Sequence, residues 1–369
     1  MSRRTAFVLA ALVAAAPPRA AHAGPRCSMA TSHDPCDSAG ADSGSLAGAA
    51  AGVAPRSDRA LAPSPWLDAG PPPPWMSPVA ASGPADHRAR SMVTLGGIYA
   101  AFATWMYFAW YYDKPRLSGF EVGGDGWFGD TTYAGGSDKL GHTWANMALT
   151  RGGAELLRSG GWSPRHAAVI SAALSWSLFL FVEIKDGFYY EMSPGDLTSN
   201  TIGALLGATL TEWPALDRLI DFRVEYWPSA EYRAIVGGSF VGSERVNSVN
   251  IAEDYSGQTY FLALHLGAVP HPKGTPRWLD DALDYVDVGV GFHSSKYKPD
   301  PPPEPPYIRR QELFLGATID LQHVVDRALG GRRSRAAHVG RAIGHGLLEI
   351  FSPPYSILPA VSATRSPDE

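Results

Sequence analysis

Two long stretches of this sequence contain no charged side chain, and they constrain the fold more than any other feature. The first covers residues 92–112 and ends in a dense group of aromatic side chains. The second covers residues 167–182, bounded by His166 and Glu183. Apolar segments of this length form helices buried in protein or in lipid, and aromatic side chains favour membrane interfaces. We therefore predict hydrophobic helices that either span a membrane or lie buried in a bundle.

The N-terminus has the organisation of a secretory signal peptide. Arg3 and Arg4 precede an apolar run over residues 6–16, and an Ala-His-Ala cleavage sequence ends at Ala23. The apolar run is too short to span a bilayer, so residues 1–23 are assigned to export. The mature protein is therefore predicted to be exported to the periplasm or cell envelope and to be membrane-associated there.

A low-complexity arm follows the signal peptide over residues 24–90. It is rich in Ala, Pro and Gly, and it lacks the apolar periodicity needed to offset chain entropy, which predicts disorder. The two cysteines of the chain, Cys27 and Cys36, lie in this arm. An oxidising compartment permits a disulfide between them, and two free thiols are the alternative. Arg26 precedes Cys27, where a lipoprotein signal requires a small residue.

Charge and motif content exclude several function classes. There are 31 Lys and Arg residues against 36 Asp and Glu, and no long basic run, which argues against nucleic acid as a partner. The patterns G-x-S-x-G and H-E-x-x-H are absent, and the glycine-rich residues 123–126 lack the strand–helix context of a phosphate loop. A membrane lipid or an envelope component is the expected partner, and no protein partner is indicated.

Residues 91–225 are predicted to form a hydrophobic helical domain. Both Ser163-Pro164 and Ser193-Pro194 are typical of an N-cap followed by proline at the first helical position. Together with the apolar runs, they predict three helices after a loop over residues 113–137, at residues 138–158, 164–186 and 194–212. Gly203 and Gly207 form a G-x-x-x-G pair that permits close helix contact, within the chain or in a membrane.

Residues 226–360 are predicted to form a smaller β-rich part, and residues 361–369 a tail. Apolar and other residues alternate in three segments, 259–266, 285–293 and 312–319, as in half-buried antiparallel strands. A terminal helix is predicted over residues 334–351. The fold class is therefore α+β, with a helical bundle followed by a small antiparallel sheet and a C-terminal helix. An outer-membrane barrel is the alternative, but it needs about eight strands and three to five are counted.

Six polar residues mark the predicted helix ends. Two pairs are spaced i and i+4 and so share a helix face, and the third pair closes the second helix. The six candidate site residues are Asp138, His142, Glu183, Asp186, Asp196 and Asn200. Grouped beside apolar helices, such side chains could bind a divalent cation or act as acid and base. Alternatively, they cap helices and form a structural hydrogen-bonded network. The sequence leaves the metal and any other cofactor undetermined.

These motifs resemble a known family. The segments Asp138-Lys139-Leu140-Gly141-His142, Glu183-Ile184-Lys185-Asp186-Gly187 and Ser193-Pro194-Gly195-Asp196, with Asn200 and Gly203, resemble the YfiM-like family of predicted periplasmic lipoproteins. The resemblance extends to Asp254-Tyr255-Ser256-Gly257-Gln258-Thr259-Tyr260-Phe261. It covers about residues 91–358. It implies an envelope location and hydrophobic helices, and the family is a domain of unknown function with no established reaction.

A looser similarity links the same residues to VanZ-like membrane proteins, which are associated with glycopeptide resistance. Asp138, Lys139 and His142 match their first motif, and Glu183, Asp196 and Asn200 match the later ones. We therefore predict an exported, membrane-associated envelope protein that is a binding or structural component with a polar cluster between its helices. The alternative is a membrane-embedded hydrolase or ligand-binding protein acting on a lipid or cell-wall precursor. Whether the protein is an enzyme stays open.

Overall fold

A computed structural model describes residues 85–124, 126–242, 250–272, 274–304, 306–330, 332 and 334–368. The predictions of a signal peptide, of a possible disulfide and of a disordered arm before residue 85 lie outside the described residues. The predicted α+β fold is confirmed. Hydrophobic helices come first, a six-stranded sheet follows, and further helices lie between and after its strands.

The helical part begins a few residues before the predicted boundary at residue 91. Its main helices are α1 Ala85–Met106, α2 Ser137–Ser159, α3 Pro164–Tyr189 and α4 Pro194–Glu212. The predicted caps are present: the Ser163 hydroxyl accepts from the His166 amide at the start of α3, and the Ser193 hydroxyl accepts from the Asp196 amide at the start of α4. These side chains satisfy amides that a helix start leaves without intrahelical partners.

Glycines bring α4 into contact with the backbone of α2. A Cβ atom added to Gly203 would lie 2.2 Å from the Thr143 carbonyl oxygen, and one added to Gly207 would lie 2.8 Å from that of Met147. Neither distance leaves room for a side chain. The G-x-x-x-G pair therefore serves packing within the chain, and it holds the polar residues of α2 and α4 close together.

Two helical segments, His87–Tyr111 and Pro164–Tyr189, are long and apolar enough to cross a membrane. Core helices of soluble proteins meet the same criterion, so length and composition alone are weak evidence for a span. The second segment packs against α2 and α4 and buries Glu183 and Asp186. The first segment has a smaller buried share, 17% against 39%, so more of its apolar surface is left exposed.

The sheet follows the helices and has the order β5-β1-β2-β3-β4-β6. Its strands are β1 Ile220–Tyr226, β2 Gln258–His265, β3 Val286–Ser295, β4 Arg310–Ile319, β5 Phe351–Ser352 and β6 Leu358–Arg365. All neighbours are antiparallel except the short parallel pair β1 and β5. The three alternating segments of the sequence are β2, β3 and β4.

Shorter helices connect and flank the strands. They are α5 Pro214–Asp217, α6 Ala230–Val236, α7 Arg277–Leu283, α8 Leu321–Leu329 and α9 Arg335–Leu348. The last of these is the predicted terminal helix. It packs against α8, which the sequence analysis did not identify.

Two strands lie at least partly outside the range predicted for the β-rich part, one before it and one after it. Strand β1 lies at residues 220–226, within the range assigned to the helical domain. Strand β6 reaches residue 365, within the range assigned to the tail, and pairs with β4. Both strands take their place from pairing with a distant strand, which a local sequence pattern does not reveal.

One part of the sheet surface is apolar and exposed. Leu262, Val290, Leu315 and Val361 form a row of paired positions across four strands, and each is at least 43% exposed. The opposite face buries Arg223, Asp287 and His265. That opposite face also buries the apolar side chains of Phe261 and Phe314, so the row from Leu262 to Val361 is apolar surface left uncovered beside the buried parts of the sheet.

The helical part and the sheet share one hydrophobic core. Met147 of α2 and Leu210 of α4 pack with Phe222 and Tyr260 of the sheet. The chain end also contributes, because the Trp144 indole donates to the carbonyl oxygen of Ile350 at 2.7 Å. Residues more than 200 positions apart in sequence therefore hold α2 against the sheet.

Candidate functional site

The candidate site lies where three helices approach one another beside the sheet. Helix α2 begins after Gly136, whose φ of 91° is accessible at low cost to glycine. This start places Asp138 in the first turn, where a negative charge is favoured by the helix dipole, and His142 one turn later. Helix α4 presents Asp196 in its first turn and Asn200 one turn later. Helix α3 adds Glu183.

The imidazole of His142 lies at the centre of this polar cluster. Its Nδ1 is 2.9 Å from Oδ1 of Asn200 and 3.8 Å from Oε1 of Glu183. Its Nε2 is 3.6 Å from Oδ1 of Asp138. Glu183 in turn accepts from the Asn200 amide at 3.4 Å and from the backbone amide of Ser193 at 3.3 Å. All three helices are thus joined through side chains of the cluster.

Lys139 supplies a cation that the sequence analysis did not include among the site residues. Its ammonium is 2.7 Å from Oδ1 of Asp196 and 3.4 Å from Oδ2 of Asp138. The residue is only 1% exposed, so its charge is compensated inside the protein. The two carboxylates are bridged by this ammonium rather than left to repel each other across the helix interface.

Other residues extend the network away from the six candidates. The Tyr255 hydroxyl donates to Oδ1 of Asp138 at 2.5 Å. The side-chain amide of Asn146 donates to Oδ1 of Asn200 at 2.7 Å, and the Ser175 hydroxyl donates to Oδ1 of Asn146 at 2.9 Å. Asn146 follows His142 by one helical turn, which is a spacing that sequence reasoning could have used. Tyr255 lies in the segment that carried the family resemblance.

Asp186 is oriented differently from the other five candidates. Although it follows Glu183 by three residues on α3, its Oδ1 accepts from the Tyr111 hydroxyl at 2.9 Å. Tyr111 belongs to a π-helical turn over Tyr107–Tyr111, directly after α1. Asp186 therefore connects α3 to the end of α1, while Asp138, His142, Glu183, Asp196 and Asn200 converge with Lys139.

Burial and mutual charge shift the ionisation of the cluster. Burial disfavours the imidazolium of His142, but Asp196, Asp138 and Glu183 outweigh this effect and raise its pKa to about 9. Burial raises the pKa of Glu183 to about 8. Burial and the nearby Asp138 raise the pKa of Asp196 to about 7.

Asp138 is the carboxyl group of the cluster that remains ionised. Burial opposes its ionisation, but the charges of His142 and Lys139 and the hydrogen bond from Tyr255 outweigh burial and lower its pKa to about 2. The protonated His142 and Lys139 therefore face a firmly ionised Asp138, together with two carboxyl groups that titrate near neutral pH.

A cation other than Lys139 would have to compete for the same ligands. Oxygen and nitrogen atoms of Asp138, His142 and Asp196 lie within 4.8 Å of one another, close enough to ligate one metal ion. The Lys139 ammonium already occupies the space between the two aspartates.

Two cavities of the described structure are lined by residues outside the cluster. The larger, of about 490 Å³, is formed by the segments around Tyr133, Tyr297 and Arg309. The smaller, of about 60 Å³, lies between Tyr107, Tyr111 and Lys185. Neither cavity is lined by the five converging residues. The side chains of Lys139, Glu183 and Asp138 are 1–6% exposed, and those of Asp196 and His142 are 12% and 15% exposed.

Residues 124–212 match the family described as "Predicted periplasmic lipoprotein (DUF2279)", a domain of unknown function. The matched segment contains α2, α3, α4 and all six candidate residues. It confirms the predicted localisation: this is an exported, membrane-associated protein of the cell envelope. A search of curated proteins and a search of solved structures found no match. The finer resemblance to YfiM-like and VanZ-like proteins stays a prediction.

A second buried polar network lies on the sheet side of α2. His265 contacts three carboxylates: Asp287 at 2.8 Å, Asp221 at 3.1 Å and Asp320 at 3.2 Å. Burial opposes its protonation, but hydrogen bonds to these aspartates raise its pKa to about 12. His265 lies on the buried face of β2, with both ring nitrogens facing carboxylates.

The network continues through Arg151 of α2. Its Nη2 is 2.6 Å from Oδ1 of Asp217 and 2.9 Å from Oε2 of Glu349, and its Nη1 is 3.9 Å from Oδ1 of Asp221. His345 of α9 contacts Glu349 at 3.3 Å. This arginine therefore ties the middle of α2 to the segments before β1 and after α9.

The raised pKa of His142 predicts that stability falls in alkaline solution. An imidazole with pKa 6.5 when unfolded and about 9 when folded stabilises the protein fully below pH 6.5. This contribution is lost as the pH rises through 9. Glu183, whose pKa is raised from 4.5 to about 8, acts in the same direction, because unfolding releases its proton between those values. We expect the free energy of unfolding to be lower at pH 9.5 than at pH 6 by on the order of 2–3 kcal/mol.

Guanidinium unfolding of the purified protein at the two pH values measures this difference. His265, with its raised pKa, also loses stabilisation above pH 6.5, so the variant His142→Gln serves as the control. The free energy of unfolding of His142→Gln should show only part of the pH dependence of the wild-type protein. Equal stability at both pH values, or a higher value at pH 9.5, would contradict the assignment of a protonated His142.

Proposed function

We propose that the protein is a non-enzymatic structural component of the cell envelope, in which the polar cluster locks three helices and the sheet together. The observation that carries this proposal is the position of Lys139. Its ammonium, 1% exposed, lies between Asp138 and Asp196 in the space that a metal or a substrate group would need. Buried charges are costly unless they are paired in this way.

The pattern of contacts also supports a structural role. Asp138 accepts from Tyr255, which precedes β2, so the cluster extends from the helices to the sheet. Asn200 contacts both His142 and Glu183, and so joins the three helices by itself. A catalytic cluster needs at least one group within reach of a substrate. In this cluster Lys139, Glu183 and Asp138 are nearly inaccessible, and the most exposed member, His142, keeps only 15% of its side-chain surface.

The exposed surface supports membrane association of such a component. Tyr107, Phe108 and Tyr112, at the end of the first apolar segment, are 43–65% exposed, and aromatic side chains favour the membrane interface. The row from Leu262 to Val361 adds an aliphatic surface on the sheet. Contiguous apolar surface of this kind marks contact with a partner or a membrane.

Replacing Asp138 with asparagine tests the proposed role. The substitution removes the carboxylate that faces Lys139, His142 and Tyr255 while keeping its shape. We expect the free energy of unfolding to fall by about 2–4 kcal/mol, because two buried cations lose a partner. Urea unfolding measures the change, and Asp113→Asn, at an exposed position after α1, is the matched control with a change within about 0.5 kcal/mol.

Treatment with a chelator distinguishes a structural network from a metal site. The thermal midpoint of the wild-type protein should be the same with and without EDTA, and added zinc or magnesium should not raise it. A midpoint that falls with EDTA and recovers with a divalent metal would contradict the proposal. So would an Asp138→Asn variant of unchanged stability.

One observation favours a second candidate, a hydrolase acting on a lipid or cell-wall precursor. The carboxyl groups of Glu183 and Asp196 titrate near neutral pH and lie beside a protonated imidazole, an arrangement that suits acid and base roles. This candidate predicts that Asp138→Asn keeps its fold and stability and loses hydrolysis of a lipid or muropeptide substrate. The structural proposal predicts a loss of stability with no activity to lose.

A further inference from the structure

The larger cavity lies outside the polar cluster and has the size of a small-molecule site. Its volume of about 490 Å³ falls within the range of roughly 300–1,000 Å³ that is usual for ligand pockets. Four parts of the chain line it: residues 130–134 before α2, residues 296–301 after β3, residues 307–309 before β4, and Asp368 after β6. The structural role proposed above does not use this cavity.

Three tyrosines in its wall are each paired with a cation. The Lys296 ammonium is 4.8 Å from the ring centroid of Tyr307, and the Lys298 ammonium is 5.5 Å from that of Tyr133. The Arg309 guanidinium carbon is 5.4 Å from the ring centroid of Tyr297. Each contact places a cation beside a tyrosine ring, so the wall combines flat aromatic surface with hydrogen-bond donors.

The cations of the wall are also paired with carboxylates. Lys298 lies 2.7 Å from Asp300, and Arg309 lies 2.6 Å from Asp368, which also lines the cavity. Lys296 is paired with Glu231. A bare anion would therefore have to displace a carboxylate. A ligand with hydroxyl groups fits this wall better, because each hydroxyl can accept from a cation and donate to its carboxylate at the same time.

The backbone of the wall adopts an unfavourable conformation at two positions. Ala134 has a φ of 50° and Lys296 a φ of 64°, and both residues line the cavity. Among the described residues, Tyr355 is the one further non-glycine residue with a positive φ. Such conformations are uncommon outside glycine, asparagine and aspartate, and they concentrate at sites that bind ligands.

We propose that this cavity binds a neutral, hydroxyl-rich carbohydrate of one or two sugar rings. The apolar C–H face of a pyranose ring packs on a tyrosine ring, and its hydroxyl groups bond to the paired charges of Lys298 with Asp300 and Arg309 with Asp368. The ring of Tyr133 also makes an edge contact with that of Tyr255, which bonds Asp138. Side-chain contacts of Tyr133 and Tyr255 thus connect the carbohydrate site to the polar cluster.

Titration of the full mature chain with neutral disaccharides tests the proposal. Isothermal calorimetry and saturation-transfer NMR with N,N′-diacetylchitobiose, cellobiose and maltose, each up to about 10 mM, cover affinities down to the millimolar range. At least one of the three should bind. Inorganic phosphate at the same concentration should not compete with it, because the wall cations are already paired.

Two variants test whether the disaccharide binds in the cavity. Tyr307→Ala removes an aromatic wall, and Asp300→Asn removes an acceptor paired with Lys298. Each should weaken binding of the disaccharide by at least about tenfold. Tyr355→Ala, at an exposed tyrosine that contacts the Trp227 ring outside the cavity, is the matched control and should leave the affinity unchanged.

Each result of these titrations either supports or overturns the proposed carbohydrate site. Binding that both cavity variants weaken and the control does not supports the proposal. Failure of all three disaccharides overturns it, and so does phosphate binding that displaces the sugar, which would make the cavity an anion site. Equal loss in Tyr355→Ala would place the sugar elsewhere. The far-ultraviolet circular dichroism of each variant verifies its fold, and if Tyr307→Ala does not fold, the result from Asp300→Asn decides.

Discussion

Replacing Lys139 with methionine should lower the free energy of unfolding by about 3–5 kcal/mol, which is the usual cost of breaking a buried ion pair. Methionine preserves much of the aliphatic stem but removes the ammonium between Asp138 and Asp196. Asp138 and Asp196 are only 4% and 9% exposed, so water compensates little of the lost charge. Urea unfolding followed by circular dichroism measures the change.

The double variant Lys139→Met/Asp196→Asn is the control for this prediction. It removes both members of the closest pair, so that no unpaired charge is left on Asp196, and it should recover part of the lost stability. A single variant as stable as the wild type would show that the pair contributes nothing. A double variant that is less stable than the single variant would show that Asp196 has another essential partner.

The second large effect is expected from Arg151→Met. This guanidinium contacts Asp217 and Glu349 at 2.6 and 2.9 Å and is 9% exposed, so its removal leaves two buried carboxylates close together. We expect a loss of about 3–5 kcal/mol in the free energy of unfolding. Arg165→Met, an identical change at an exposed position of α3, should alter it by less than about 0.5 kcal/mol.

Guanidinium unfolding of both arginine variants measures these values. Burial raises the pKa of Asp217 to about 7 in the native protein, so this carboxyl group can take up a proton when Arg151 is absent. The Arg151→Met variant should therefore lose less stability at pH 5 than at pH 8. Equal losses from Arg151→Met and Arg165→Met would refute a buried network on the sheet side of α2.

The sequence predicts the main helices and three strands well, because their signals are local. Ser163 and Ser193 cap α3 and α4 as expected, and each alternating segment of the β-rich part forms a strand. Strand β1 also alternates, but its Asp221 and Arg223 are buried against distant charges, which a rule of polar residues outside does not anticipate. The two residues of β5 acquire their conformation from pairing with β1.

The candidate site was predictable in part, for geometric reasons. Residues four positions apart share a helix face, so the spacing alone predicts that Asp138 lies near His142 and that Asp196 lies near Asn200. Their meeting across three helices depends on the loops and on Gly203, and spacing alone does not show it. Lys139 was missed as a member because the next residue along a helix points about 100° away from Asp138. Its long side chain nevertheless reaches across to Asp196.

The contacts between α2 and the end of the chain bear on how the protein folds after export. Trp144 bonds the carbonyl oxygen of Ile350, and Arg151 pairs with Glu349, so the helical part completes its contacts only when the segment around residue 350 is in place. Folding dominated by such distant contacts is slow, because long loops must close first. We therefore expect the apolar faces of these helices to stay uncovered until the C-terminal segment joins them, a stage at which a chaperone or the membrane surface can shield them.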